Sequence, residues 1–328
     1  MKPQFVHLHA HTHYSLLDGL GKIPAQVKRA KELGMESLAI TDHGVLYGAV
    51  EFYQECKKRG IKPILGIEAY VTPGDRREKT PGSKTHHLIL LAENKTGWHN
   101  IIKLSSRAHL EGYYYKPRMD HALLREHSEG IIALSACIGG EVNTALLNGD
   151  FEKAEERARA YQDIFGTENF FLEIQDHTDL EDGVIVRERT LELSKKMGIP
   201  LVATADMHYI NHEDAPYHEV LLAVQTGKNM NDKSRLSLSS CDLSMASPEE
   251  MIERFKDAPE AVTNTVKIAE RCNVELELGK ILIPHFDTPD EMPAMDYLRQ
   301  LIEERTPSRY SDHKKNKKLQ ERITYELD

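Results

Sequence analysis

The strongest constraint on this chain is a repeated change of period. Short apolar, β-branched runs at Phe5–His9, Ser37–Thr41, Lys62–Ile67, His87–Ala92, Ile131–Ser135, Asn169–Ile174 and Pro200–Ala205 read as buried strands. Longer amphipathic stretches separate them: Pro24–Leu33, Ala49–Arg59, Thr96–Leu110, Asp150–Phe165 and Asp182–Met197. Glycine follows the helical period at Leu33-Gly34, Arg59-Gly60 and Met197-Gly198, where a left-handed residue stops a helix before the next strand. Strand, helix, strand in repetition implies βα units, hence α/β architecture as a doubly wound sheet or a closed barrel.

After Tyr209 the strands cease. Glu213–Gln225, Pro248–Phe255 and Glu260–Cys272 read as helices, so a helical extension at 211–280 is expected to follow a barrel at 1–210. Pro284, Pro289 and Pro293 mark a linker, followed by a helix from about Met295 to Glu304. The last segment, Arg305–Asp328, includes KKNKK and is expected to be a solvated, partly disordered tail.

Composition narrows the class. No apolar run approaches the roughly 18 residues of a membrane span, and the His-rich start has no secretory pattern. Cys56, Cys137, Cys241 and Cys272 lie far apart without a CxxC, which fits a reducing, cytoplasmic setting. A net charge of −10 argues against coating nucleic acid by bulk charge, though not against a local basic groove. Seventeen histidines, in no single tract, are about twice an ordinary share.

Those histidines gather where strands end. His9 and His11 leave the first strand, with Asp18 close behind; Asp42 and His43 leave the second and Glu68 the third. Cys137 follows the fifth, and Asp206 and His208 the seventh. His87 opens the fourth strand and does not obey this placement. In parallel βα folds the site is built at the carboxyl ends of strands, so residues spread over the chain converge on one rim. Each alone has a plainer reading: a hydrogen-bonded structural His, an N-cap Asp42, a Cys137 serving as a small hydrophobe. Jointly they imply a polynuclear metal site. Mixed nitrogen, oxygen and sulfur donors favour Zn, Mn or Fe over Mg or Ca, and nine of these donors, leaving Asp42 as a cap, suit two or three ions. Clustered ions suit phosphate ester chemistry, where they activate water and neutralise phosphoryl charge.

The motifs FVHLHAHTHYSLLDGL, LGMESLAITDHGVLYGAVEFY, GIKPILGIEAYV, HHLILLAENKTGWHNIIKLSS and PLVATADMHYI resemble the PHP (polymerase and histidinol phosphatase) family. Within it, the chain is similar to the N-terminal portion of bacterial DNA polymerase III alpha subunits over about residues 4–304. EEMIERFKDAPEAVTNTVKIAERCNVELELGK and PHFDTPDEMPAMDYLRQLIEE carry that closer likeness. The resemblance implies a distorted seven-stranded TIM-like barrel with metal ions at its rim. It implies ligands at His9, His11, Asp18, His43, Glu68, His87, Cys137, Asp206 and His208, all of which hold ligand-capable residues here. The activity it implies is a metal-dependent phosphoesterase acting as a 3′→5′ proofreading exonuclease. Its partners would be a DNA 3′ end, the rest of the polymerase alpha subunit and a separate proofreading exonuclease subunit. RTPSRYSDHKKNKK departs from the family, and residues 281–328 reach only the start of the palm, so polymerase carboxylates are not expected.

Around that centre, Asp42, His13, His86 and His177 are candidates for orienting ligands or moving protons, against a plain structural role. Arg76, Arg77, Lys79 and Lys84 lie in a basic loop that could steer a DNA backbone or be a solvated surface. Tyr113, Tyr114 and Tyr115, before Lys116 and Arg118, could stack a single-stranded end or pack on the barrel. Two alternatives share the motifs: a small-molecule phosphomonoesterase of the histidinol phosphatase type, and a non-catalytic metal-stabilised scaffold that docks the polymerase or a proofreading subunit.

Overall fold

Seven strands form one curled sheet: β1 (Ser37–Ile40), β2 (Lys62–Val71), β3 (His86–Ala92), β4 (Arg118–Met119), β5 (Ile131–Leu134), β6 (Phe170–Gln175) and β7 (Leu201–Thr204). The order is β1-β2-β3-β5-β6-β7, with the two-residue β4 beside β2. The computed structural model describes residues 4–177 and 180–328. The chain divides into one compact unit ending at Leu276 and a second spanning Glu277–Asp328.

Helices in the first unit are α1 (Ile23–Glu32), α2 (Ala49–Arg59), α3 (Lys95–Leu110), α4 (His121–Glu126), α5 (Glu141–Leu147), α6 (Phe151–Phe165), α7 (Glu181–Met197), α8 (Ala215–Gln225), α9 (Pro248–Arg254) and α10 (Pro259–Arg271). Local chemistry explains their ends. Asn94 accepts a hydrogen bond from the Gly97 amide to cap α3, and Ser247 with Glu250 forms a capping box at α9. Gly60 closes α2 at φ 66°, a conformation that disfavours any side chain. In α1, Ile23, Gln26, Val27 and Ala30 recur at helical spacing on the buried face.

Strand alternation sorts the core into two layers. Leu65, Ile67, Ala69, Leu88 and Leu90 pack with the helices on one face of the sheet. Ile64, Ile89, Leu91, Ile132, Leu134, Phe171 and Val202 point to the other, where Ile268 and Ala269 of α10 and the following Cys272 plug the curl. Each such buried side chain contributes roughly 1.5–3 kcal/mol. Continuing along this inner face, the two-residue period brings Glu68 and Tyr70 after Ile64, His87 before Ile89, and Glu173 after Phe171. The site is thus the polar end of an otherwise apolar inner face.

Three expectations are corrected. The sheet is not all parallel: β3 runs antiparallel to both β2 and β5. Its amino end therefore lies at the rim where its neighbours' carboxyl ends lie, which explains how His87 reaches the site while opening its strand. Phe5–His9 is not a regular strand. Val6 and Leu8 pack in the inner layer, yet His9 and His11 also point to the site, so alternation slips by one residue between Leu8 and His9. The segment nevertheless joins both sheet edges: Ala39 N–H donates to the His7 carbonyl, and the His11 amide donates to the Met207 carbonyl at 2.7 Å.

The tail is the third correction. The second unit contains α11 (Ala294–Arg309) and α12 (Lys317–Leu327), so Arg305–Asp328 is largely helical, with Asn316 capping α12. Among the described residues no helix is long and apolar enough to cross a membrane.

Candidate metal centre

The histidine rings are set by their outer nitrogens. His9 Nδ1 donates to the buried Glu173 carboxylate at 2.7 Å. Ser15 Oγ donates its only proton to Asp42 at 2.6 Å, so it accepts from His11 Nδ1 at 3.0 Å. His208 Nδ1 donates to the Asp206 carbonyl at 2.7 Å. With Nδ1 engaged in all three rings, each ring turns its Nε2 inward.

Those nitrogens converge. His9 Nε2 and His11 Nε2 are 3.1 Å apart, and Asp206 Oδ1 stands 3.0 and 3.3 Å from them. Glu68, 1% exposed, lies at the centre: its Oε2 is 2.6 Å from His43 Nδ1 and its Oε1 is 2.8 Å from His87 Nδ1. Cys137 Sγ is 3.5 Å from His87 Nδ1. Asp18 faces His43 Nε2 at 3.1 Å and His208 Nε2 at 3.7 Å. All nine sequence-derived ligand candidates therefore meet. Three groupings bring single donor atoms within 4.8 Å of one another: His9–His11–Asp206, His43–Glu68–His87 and His11–His43–His208.

This arrangement fits divalent cations. His43 Nδ1, Glu68 Oε2 and Asp206 Oδ1 are buried without an aligned hydrogen-bond partner, although acids and bases crowd around them. Buried polar atoms left so are rare, and a shared cation satisfies them together. The donors are imidazole, carboxylate and thiol, the set that suits Zn, Mn and Fe. Backbone strain also gathers here: Asp206 has φ 51° and Ala136, just before Cys137, has φ 62°.

Electrostatics describe the metal-free state. Burial alone would lower His9, but Asp206, Glu173 and Glu68 reverse this and hold it well above its ordinary value. Burial opposes charge on His43 too, yet the Glu68 carboxylate lifts it to about 10. Burial and the neighbouring His43 and His208 drive His11 down to about 3. Glu68 and Asp206 are buried, which favours protonation, but the surrounding histidines keep both well below the carboxylate range. Burial, then the Asp206 and Glu68 carboxylates, raise the Cys137 thiol well above its ordinary value.

A cleft of about 200 Å³ opens on this cluster. His177 lines it beside Asp18, His43 and Asp206, and Leu222, Leu236, Leu238 and Leu243 form an apolar wall. The other candidates are placed differently. Asp42 is 1% exposed, and its carboxylate accepts from Ser15 and Thr12, so it stands behind the cluster, joined to it through Ser15. His13 lies tilted against Tyr14 at 4.3 Å and is not among the clustered donors. His86 faces Thr144 on the other side of β3. Arg76 departs from the expectation of a DNA-facing group: it is buried and paired with Glu111 and Asp120. Arg77, Lys79 and Lys84 are exposed. Arg118 is likewise buried, donating to the carbonyls of Gly112, Arg76 and Glu78, whereas Tyr113 and Tyr115 are exposed.

Two participants escaped the sequence reading. Glu173 sits within an apolar run, FFLEIQ, and a lone carboxylate there was the available signal. His218, in α8, is buried with Nε2 3.7 Å from Asp18 and carries no strand-end signal.

The chain belongs to the PHP domain family, whose profile matches residues 7–177. Over nearly its whole length it is similar to bacterial DNA polymerase III alpha subunits. It is 44% identical to that of Treponema pallidum (strain Nichols) over 328 residues, covering 99% of this chain and 28% of that relative. It is 42% identical to that of Thermus aquaticus over 312 residues, covering 92% of this chain and 25% of that relative. The chain thus spans less than a third of the length of these relatives. Among solved structures, a two-domain Bacteroides vulgatus protein described as containing a predicted PHP-like metal-dependent phosphoesterase aligns at 13% identity and a TM-score of 0.35. That alignment covers 85% of this chain and 72% of that one and is too slight to build on.

Proposed function

We propose that the cluster holds two or three divalent ions, drawn from Zn, Mn and Fe, and hydrolyses DNA phosphodiesters from the 3′ end. The observation that carries this reading is the convergence of His9 Nε2, His11 Nε2 and Asp206 Oδ1 within 3.3 Å, with both rings' outer nitrogens already engaged. His9, His11, Asp18, His43, Glu68, His87, Cys137, Asp206 and His208 hold the ions. Divalent ions held there would supply an acidified water and neutralise charge on the phosphoryl oxygens. Glu173 and Ser15 keep the His9 and His11 lone pairs aimed inward. Burial holds His177 below its ordinary range, so its neutral ring, at the cleft wall with Nδ1 unpartnered, can accept a proton. The leucine wall excludes bulk water from the reacting end.

Similarity to polymerase alpha subunits supports a replicative setting. In it, residues 281–328 lead into a polymerase palm, and the rest of that polymerase and a separate proofreading subunit are the partners. The test is shortening of 5′-labelled single-stranded DNA by protein loaded with Mn²⁺ or Zn²⁺, with bound metal quantified by mass spectrometry. Shortening by the wild type but not by Asp206→Asn is expected. Metal-loaded protein that shortens nothing would replace this reading with the scaffold alternative. Release of phosphate from small monoesters without action on DNA would replace it with a phosphomonoesterase.

A further inference from the structure

The turn at Tyr113–Pro117 holds one cation over Tyr70, whose ring lies against the ligand candidates His43 and His87. Tyr70, on the inner face of β2, is buried, with its ring stacked on His43 at 5.9 Å and edge-on to His87 at 5.4 Å. Lys116 Nζ sits 5.0 Å over that ring and donates to the Tyr70 hydroxyl at 3.3 Å. These distances keep the ammonium within about 11 Å of both histidine rings. Among the described residues no carboxylate pairs with it, although the cluster beside it is rich in carboxylates.

The backbone is shaped for this placement. Tyr115 is held at φ 60°, and Tyr114 N–H donates to the Lys116 carbonyl at 3.1 Å, closing a tight turn. Pro117 seats the turn against Gly44, where an added Cβ would lie 2.8 Å from Pro117 Cγ and 3.0 Å from the Tyr70 ring. Gly44 directly follows the ligand candidate His43, so the turn and the metal rim are fixed to each other. The turn thus holds an exposed cation, without a carboxylate partner, beside a cluster suited to anions.

We infer that Lys116, held by Tyr70, is a backbone-phosphate subsite for a single-stranded DNA end entering the metal cleft. The inference rests on the proposed phosphodiester chemistry for its choice of ligand, but its test reads binding rather than cleavage. Fluorescence anisotropy would follow a labelled single-stranded oligonucleotide with phosphorothioate 3′-terminal linkages, titrated with the full chain across a range of KCl. Lys116→Met should weaken binding about tenfold, the loss of one charge-assisted contact. It should also flatten the logarithmic salt slope by about 0.7, one phosphate on a single strand. Lys116→Arg should stay within about threefold of the wild type, since the cation remains. Lys103→Met, on the exposed face of α3, should bind as the wild type does. Equal binding by Lys116→Met and the wild type, equal weakening by Lys103→Met, or no binding by the wild type would each overturn the inference. Wild-type binding that depends on Lys116 but leads to no cleavage under any metal would sustain it while refuting the exonuclease reading.

Discussion

Ser15 does more for the cluster than its size suggests. Its hydroxyl donates to Asp42 and accepts from His11 Nδ1 and the His43 amide, so it links a buried carboxylate to two ligand candidates. Ser15→Ala should leave His11 without its outer partner and lower divalent metal affinity about 10–100-fold, the usual cost of losing such a contact. Competition against a chelator measures this; unchanged affinity would show that His11 is held by packing alone. Ser15 could not be selected from the sequence, because a serine within HTHYSLLDG reads as an ordinary turn residue. His9 and His11 were legible because they leave the first expected strand alongside donors at the other strand ends, whereas Glu173 stands inside its strand rather than at its end.

At the scale of elements, the Gly44 turn and the α10 plug carry separable consequences. Gly44→Ala adds a methyl against Pro117 at φ 66° and should cost about 1–3 kcal/mol in urea unfolding, while displacing the Lys116 turn. Ile268→Ala, inside the curl, should cost about 2–5 kcal/mol and leave the rim chemistry intact, because the plug lies at the apolar end of the inner face. A larger loss of metal binding in Ile268→Ala than in Gly44→Ala would contradict that separation. Helices ending in glycine were legible, since period and punctuation are both local. The direction of β3 was not: buried parallel and antiparallel strands share one apolar signature, and only long-range pairing decides between them. β4, α4 and α5 are too short to show a period.

For the whole molecule, the titration of the cluster sets how stability varies with pH once metal is stripped. His9 and His43 are raised above the ordinary 6.5, so their contribution is complete below that value. It is lost as pH rises towards the folded value, about 10 for His43. His7 and His11 are lowered, to about 4 and about 3, so their contribution is present above 6.5 and lost as pH falls. The depressed Glu68 and Asp206 add a further loss only below their ordinary 4.5 and 3.8. Burial lowers His86, His127 and His177 as well, so chelator-treated protein should melt highest between about pH 6.5 and 7.5, with decline on both sides. A maximum at pH 8 or above would mean that His9 and His43 are not protonated in the metal-free protein.

Added metal reverses the alkaline side of that profile. Binding must release the protons on His9 and His43, so affinity should rise with pH where metal-free stability falls. Metal at about a hundredfold excess over its Kd should add about 2.7 kcal/mol. The gain should belong to the first unit, because all nine candidate donors lie between His9 and His208. A chain ending at Leu276 should bind the same number of ions with the same upward shift in Tm. It should also stay dispersed at concentrations where the full chain associates, because Ile281, Leu282 and Ile283 are each more than 80% exposed. Mass spectrometry of bound metal and light scattering of the two chains read these outcomes independently. A lower metal count in the shortened chain would show that the second unit helps to build the centre.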